Sequence, residues 1–390
     1  MASRNYIQIA QQYAADVMSG KIPACKWVKL AVKRQADDLK NFSSDQSPFY
    51  FDPVEASRVC RFIELLTHTK GDLAGIHITL EPWQIFVLST VFGWRRRIDN
   101  GRRYRRAYVE VPRGNGKSTL LSGVGLYCLV ADREGGAEVY SFATTRDQAK
   151  IVFGDAKVMA ERNSALRSQF GLQVLANALY VPTTNSTFQA KSAEGSTLDG
   201  LNTHLAIIDE LHAHKTRAVY DVVETSTGKR KNSLMFVITT AGFDTSGICY
   251  EVRTMVTKVL ERSAYDETQF GIIYGLDEGD DWTTEEALQK ANPNWGVSVR
   301  PEIITGLQQK AITLASAANN FKTKHLNIWC NASTAWMDME AWDANEVDID
   351  RSCYEGLPCY IGLDVGAKND VTAKVLLFPR GKSFMVFADF

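Results

Sequence analysis

Pro112-Arg113-Gly114-Asn115-Gly116-Lys117-Ser118-Thr119 gathers the residue types that hold a polyphosphate: glycines that free the backbone, a lysine and two hydroxyls. It follows the strand-like run Tyr108-Val109-Glu110-Val111, so it reads as a strand entering a tight loop that opens a helix at Lys117. Such a loop aims backbone N–H groups and a helix N-terminus at one spot, which suits a polyphosphate. Lys117 is then placed to reach β- and γ-phosphates, and the Ser118 hydroxyl to take a Mg²⁺ position. The first glycine of the usual G-x-x-x-x-G-K-[ST] pattern falls on Val111 here.

A second stretch gives the loop a partner. Leu205-Ala206-Ile207-Ile208-Asp209-Glu210 is a continuous apolar run ending in two acids, the pattern of a buried parallel strand with carboxylates at its C-terminal edge. Ligands of open α/β sheets sit beyond that edge. Asp209 is thus expected to hold Mg²⁺ or its water, and Glu210 to orient and deprotonate an attacking water. Loop and acid pair together point to an ATP-hydrolysing site.

Other residues fall on the same edge. Phe236-Val237-Ile238-Thr239-Thr240-Ala241-Gly242 reads as a further strand whose end is either a plain terminus or a sensor of the γ-phosphate at Thr239 and Thr240. Ser141 to Gln148 marks another strand-to-helix junction, with Arg146 either a helix-cap neighbour or a site residue. Gln84, beside Trp83, has an amide that can both donate to and accept from an adenine edge; it also reads as a helix-surface residue beside a core tryptophan. His212 and His214, at i, i+2 with no third ligand, are read as loop residues.

The elements that must position these groups follow from pattern. Residues 1–75 read as a polar-amphipathic helical region, with helices expected from Cys25 to Leu39 and from Pro53, and another from Pro82. From Val109 strands and helices alternate, which predicts an α/β fold with a mostly parallel, doubly wound sheet. Residues 76–345 are assigned to this domain, with 280–345 as a helical linker subdomain. Residues 346–357 form a linker rich in acids, and a new strand begins after Pro358, opening a last domain over 358–390.

Bulk properties narrow the class. The 390 residues carry 44 basic and 45 acidic side chains, so a nucleic-acid surface must be a local patch. The 7 cysteines are scattered without a C-x-x-C pair, which predicts reduced thiols and neither a disulfide frame nor a zinc site. No apolar run is long enough to span a bilayer and no signal-peptide core is visible, so the chain is expected to be neither exported nor membrane-bound. The local basic patch is Arg95, Arg96, Arg97, Arg102, Arg103, Arg105 and Arg106, flanking a turn at Asp99-Asn100-Gly101. On a hairpin it would track a DNA backbone or meet a neighbouring subunit's nucleotide; the alternative is a solvated edge hairpin. Near the end, Gly362-Leu363-Asp364-Val365-Gly366 is a strand end and small-residue turn. Asp364 reads either as the first carboxylate of a two-metal nuclease or as the D-x-G turn of actin- and sugar-kinase-like phosphate loops.

The order of these parts resembles the large terminase subunit of tailed double-stranded DNA bacteriophages. The resemblance runs from Gly20–Val28 and Leu80–Gln84 through the phosphate loop, Ile207–His214 and Ile238–Gly242 to Gly362-Leu363-Asp364. It implies a RecA-like (ASCE) P-loop ATPase followed by the beginning of an RNase H-like nuclease. It implies nucleotide held by the Walker A loop Arg113, Gly114, Asn115, Gly116, Lys117, Ser118 and Thr119, and an adenine reader at Gln84. Ser118 and the Walker B acid Asp209 would carry Mg²⁺, Glu210 would be the catalytic base, and Thr239 and Thr240 would couple hydrolysis to motion. Arg113 would stabilise transition-state charge in cis. Asp364 would be the first Mg²⁺- or Mn²⁺-binding acid of the nuclease; the chain stops before later acids, so DNA cleavage is not expected. The implied function is an ATP-driven motor that moves double-stranded DNA into procapsids, as a pentameric ring with a portal protein and a terminase small subunit. The implied setting is the cytoplasm of an infected or lysogenic host. The rival reading is a helicase-type DNA-dependent ATPase, which would need a second RecA-like lobe.

Overall fold

The structure, a computed structural model, describes residues 4–144, 146–192, 200–331, 345, 347–365, 372–381 and 383–390, without the side chains of 146, 147 and 192. It divides into compact units of 1–336 and 337–390. The first begins with α1 (Tyr6–Met18), α2 (Lys26–Asn41), strand β1 (Phe49–Phe51), α3 (Pro53–Glu64) and α4 (Pro82–Gly93). Their starts are written in the sequence. Asn5 and Asp52 side chains accept from the first-turn N–H groups of α1 and α3, and Glu81 and Gln84 cap α4 reciprocally with Pro82 in the first turn. Every residue of α4 from Trp83 to Gly93 is buried, so α4 is a core helix. α1 to α3 share one continuous hydrophobic core with the sheet.

After α4, strand β2 (Trp94–Arg96) pairs antiparallel with β1. The chain continues through β3 (Arg106–Glu110), α5 (Lys117–Val130), β4 (Glu138–Ala143), α6 (Arg146–Arg162) and α7 (Ser164–Phe170). Next come β5 (Gln173–Val174), β6 (Leu179–Val181), β7 (Ser186–Ser192), β8 (Thr203–Asp209), α8 (Ala218–Ser226), β9 (Leu234–Thr239), α9 (Ile248–Leu260) and β10 (Gln269–Ile273). The sheet order is β10-β3-β9-β8-β4-β7-β6-β5, parallel from β10 to β7 and antiparallel at β6 and β5. β9 therefore lies between the strand that feeds the phosphate loop and the strand that carries the acids. This is the strand order of a RecA-like core, and it brings three strand ends to one edge. Then α10 (Glu285–Ala291), α11 (Pro301–Thr313) and α12 (Ala315–Leu326) form a small core of their own around Leu288, Ile304, Phe321 and Leu326.

The second unit carries an antiparallel sheet of β11 (Tyr360–Asp364), β12 (Ala373–Arg380) and β13 (Ser383–Asp389). Tyr360, Ile361, Leu363, Phe384 and Val386 are exposed on it.

The arginine cluster is neither a DNA-tracking face nor a solvated hairpin. Arg102 is fully buried and donates to both carboxylate oxygens of Asp132 at 2.7 Å. Arg103, also buried, bonds Asp38 of α2 at 2.9 Å and Glu267, among the rings of Phe42, Phe49, Trp94 and Tyr104. Arg95 reaches Glu55, Arg105 the carbonyls of Thr227 and Arg230, and Arg106 both Glu224 and Asp266. Arg96 and Arg97, the more exposed members, pair with Asp99 and Asp45. The cluster pins the N-terminal helices to the sheet. His204 and Cys128 also approach Asp132, but the guanidinium already engages both its oxygens, so the trio is a buried ion network and not a metal centre.

This network sets a stability expectation. Asp132→Ala leaves a buried guanidinium uncompensated and should cost about 3–5 kcal/mol in urea unfolding. Despite burial, the Arg102 charge and the His204 hydrogen bond hold the Asp132 carboxyl well below its usual range. Its contribution is therefore full above the unfolded-chain value, about pH 4, and is lost as pH falls towards the depressed folded value.

Candidate active site

The phosphate loop takes the conformation its glycines permit. Gly114 and Gly116 have φ of +88° and +72°, a region that side chains with a Cβ enter only with strain. Gly116 is the N-cap of α5, so the free N–H groups of the first turn point into the loop's concavity. Lys117, buried, folds back over the loop and donates to the carbonyls of Val111 at 3.1 Å and Pro112 at 3.3 Å. Its ammonium lies 3.8 Å from Glu210 Oε1. Burial pulls this lysine below its ordinary pKa, while Glu210 and Asp209 act to restore it. Ser118 and Thr119 follow on the first turn, both partly exposed, and Arg113 is exposed.

A clasp that local sequence patterns did not suggest holds the loop from outside. The fully buried Asn115 accepts from the Asn294 N–H and donates to Asn292 Oδ1, both at 3.0 Å. Ser298 donates to the Gly114 carbonyl at 2.6 Å, and Trp83 donates its indole N–H to Asn294. Gln84 is buried beside the loop: its carbonyl accepts from Glu81 N–H, and its amide nitrogen lies 3.4 Å from where a Cβ on Gly116 would stand.

The acid pair closes the other side. β8 and β9 are in register from Leu205 to Asp209, and the Glu210 N–H bonds the Ile238 carbonyl at 3.0 Å. Glu210 then adopts φ 52° and ψ 51°, left-handed backbone that is sparsely populated for a glutamate and recurs at functional positions. Asp209 Oδ1 is buried without a hydrogen-bond partner among the described residues. Burial, then the neighbouring Glu210 charge, raises Asp209 to about 7 against the opposing pull of Lys117. Burial acts in the same direction on Glu210, but the His212 hydrogen bond and the Lys117 charge outweigh it and bring Glu210 down to about 2. An orphaned, buried carboxylate oxygen and a hydroxyl at the helix start are hard oxygen donors, and they fit a Mg²⁺ ion.

Thr239 ends β9 beside His212, and Thr240 follows it beside this carboxylate. The Thr240 N–H lies 3.4 Å from Glu210 Oε2, and the Thr239 hydroxyl accepts from the His212 N–H at 3.1 Å. His212, read from sequence as a loop residue, instead places Nδ1 3.1 Å from Glu210 Oε2. Its other ring nitrogen accepts from Lys324 of α12 at 2.9 Å. Lys324 also contributes its backbone carbonyl to the Arg113 N–H at 2.9 Å. His212 was visible at two residues beyond the acid pair; Lys324 had no local signal. The Arg146 side chain lies outside what is described. Asp364 ends β11 at an exposed position in the second unit, and no group of metal-ligating side chains gathers around it among the described residues.

Comparison with known proteins gives this geometry a family. The model of the terminase large subunit ATPase domain matches residues 82–258, which span the phosphate loop and the acid strand, and the model of the terminase large subunit endonuclease domain matches 263–389. The chain belongs to the terminase large subunit family. It is 28% identical over 329 residues to the terminase large subunit of Enterobacteria phage HK97, covering 83% of this chain and 62% of that protein. Protein YmfN of Escherichia coli (strain K12) is 44% identical over 183 residues, 47% of this chain and 40% of that protein. The chain thus spans between two fifths and two thirds of the length of these relatives. The crystal structure of the HK97 large terminase superposes with a TM-score of 0.61 at 25% identity, over 85% of this chain and 67% of that one. In this terminase chain the endonuclease-domain match begins at 263, yet the described residues up to 331 belong to the first unit. The described helices include none long and apolar enough to cross a membrane.

Proposed function

We propose that this chain is the ATP-hydrolysing motor subunit of a phage terminase, moving double-stranded viral DNA into procapsids. The observation that carries the reading is the meeting of three groups at one sheet edge: the Lys117 ammonium, the Glu210 carboxylate 3.8 Å away and the unpartnered Oδ1 of Asp209. In this reading the Arg113–Thr119 loop cradles the triphosphate with its N–H groups, and Lys117 exchanges its carbonyl partners for phosphate oxygens. Ser118 and Asp209 hold Mg²⁺, which when bound supplies charge neutralisation at the β- and γ-phosphates. Glu210 orients the attacking water and accepts its proton. Arg113, exposed beside the loop, offsets charge developing in the transition state. Gln84, buried beside the loop, is proposed to read the adenine edge. Thr240 approaches the same carboxylate and Thr239 holds the His212 beside it, so a change at Glu210 passes into the end of β9.

The partners proposed with it are double-stranded DNA, a portal protein, the terminase small subunit and further copies of the chain in a ring, in the cytoplasm of an infected or lysogenic host. An endonuclease activity belongs to the family's second domain. A two-ion centre needs several carboxylates, and among the described residues no group of three or more metal-ligating side chains includes Asp364; the proposed mechanism assigns no DNA cleavage to this chain. The motor reading is tested by steady-state Mg·ATP hydrolysis of the purified chain with and without double-stranded DNA and portal-bearing procapsids. Hydrolysis stimulated by those additions is expected. Nucleotide binding with no turnover under any of these conditions would leave only a nucleotide-binding scaffold.

A further inference from the structure

We infer that Lys324, acting through His212, is a positioning residue for Glu210, so that helix α12 completes the hydrolytic centre. The inference rests on the ATPase reading above and deepens it. Three side chains stand in series: Lys324 Nζ is 2.9 Å from His212 Nε2, and His212 Nδ1 is 3.1 Å from Glu210 Oε2. An ammonium can only donate, so Nε2 accepts and the ring proton sits on Nδ1, between the Thr239 hydroxyl and the Glu210 carboxylate, each 3.1 Å away. The lysine therefore selects the tautomer that holds Glu210. The histidine is in turn fixed by Thr239, whose hydroxyl lies 3.1 Å from both its N–H and its Nδ1.

The series is needed because of the backbone beneath it. Glu210 sits in left-handed conformation directly after β8, and its side chain is partly exposed at the sheet edge. Thr240 adds only long contacts, 3.4 Å from N–H and 3.5 Å from the hydroxyl, so His212 makes the closest polar contact to Oε2. Lys324 is buried, and its ammonium lies 5.5 Å from the centre of the Phe243 ring, which narrows where the head group can go. The same residue's carbonyl holds the Arg113 N–H, so one turn of α12 touches both the phosphate loop and the acid that acts on its ligand. No covalent step is assigned to either residue.

The test is a set of variants of the full 390-residue chain: Lys324→Ala, Lys324→Arg, His212→Ala and His212→Asn. Mg·ATP turnover is measured beside the affinity for a fluorescent ATP analogue, with circular-dichroism melting as the fold control. Lys324→Ala and His212→Ala should each lower kcat about tenfold to a hundredfold, the scale of a misplaced reacting group, while analogue affinity stays at the parent value. Asparagine keeps a donor near the Nδ1 position and arginine keeps a cation, so His212→Asn and Lys324→Arg should recover most of the loss. The double alanine variant should be no worse than the more damaged single one, because both act on one carboxylate. Parent-level kcat in Lys324→Ala, a loss of affinity in step with kcat, or no recovery by the conservative variants in folded protein would each overturn the inference. If Glu210→Gln is inactive while Lys324→Ala is normal, only this inference fails; if Glu210→Gln turns over normally, Glu210 loses its assigned role and this inference falls with it; if the parent chain shows no Mg·ATP turnover, the ATPase reading itself fails.

Discussion

Glu210→Gln should bind ATP as the parent does and lose steady-state hydrolysis by about 10²- to 10⁴-fold, the range of a removed general base. Glutamine preserves the volume of the side chain and an oxygen that can accept from His212 Nδ1, which lies 3.1 Å away in the parent. It cannot take a proton from water. The substitution also removes the negative charge 3.8 Å from Lys117, which frees the lysine for an incoming phosphate and gives no reason for weaker binding. Affinity and turnover should therefore separate, and single-turnover hydrolysis with a fluorescent-nucleotide titration measures both. Parent-level hydrolysis would remove Glu210 from its role and leave the raised Asp209 as the acid to test.

The expected effect is large because the surroundings of Glu210 are built for one orientation. β9 lies between β3 and β8, so the strand carrying Thr239 and Thr240 is hydrogen-bonded to both the phosphate-loop strand and the acid strand. The Val111 N–H bonds the Thr239 carbonyl and the Glu210 N–H bonds the Ile238 carbonyl, both at 3.0 Å. The three strand ends are therefore fixed in relation to one another before any side chain is considered.

Much of this was readable in the chain itself, for reasons of period and local chemistry. A buried parallel strand must be apolar on both faces, so Leu205–Ile208 announced the acid strand, and Gly-Lys-Ser after Tyr108–Val111 announced the loop. Pro53 and Pro82 marked the starts of α3 and α4, while the caps from Asp52 and Glu81 emerge from the structure. What escaped was long-range pairing. The arginines after Trp94 looked like one basic surface because their partners lie far along the chain: Asp38, Asp132, Glu224 and Glu267. The clasp on Asn115 comes from Asn292 and Asn294 in a stretch whose sequence spoke only of helices and prolines. His212 looked like a loop residue because two histidines at i, i+2 lack a third ligand, and nothing local could reveal Lys324 approaching from α12. The left-handed turn at Glu210 was likewise hidden, since glutamate carries no preference for it.

Lys117→Ala bears most directly on the claim that the loop and the acid pair act on one triphosphate. The ammonium is the buried cation between the two motifs, bonded to the loop carbonyls and 3.8 Å from Glu210, so no neighbouring group can stand in for it without moving. Its removal also leaves Glu210 without a charge partner on that side. The decisive measurement is ATP consumption by purified Lys117→Ala beside the parent, at saturating Mg²⁺ and with circular dichroism to confirm the fold. A fall of about 10²-fold or more is expected, as for other preorganised groups that meet developing charge. Consumption at the parent's rate by folded Lys117→Ala protein would contradict the motor reading at its base.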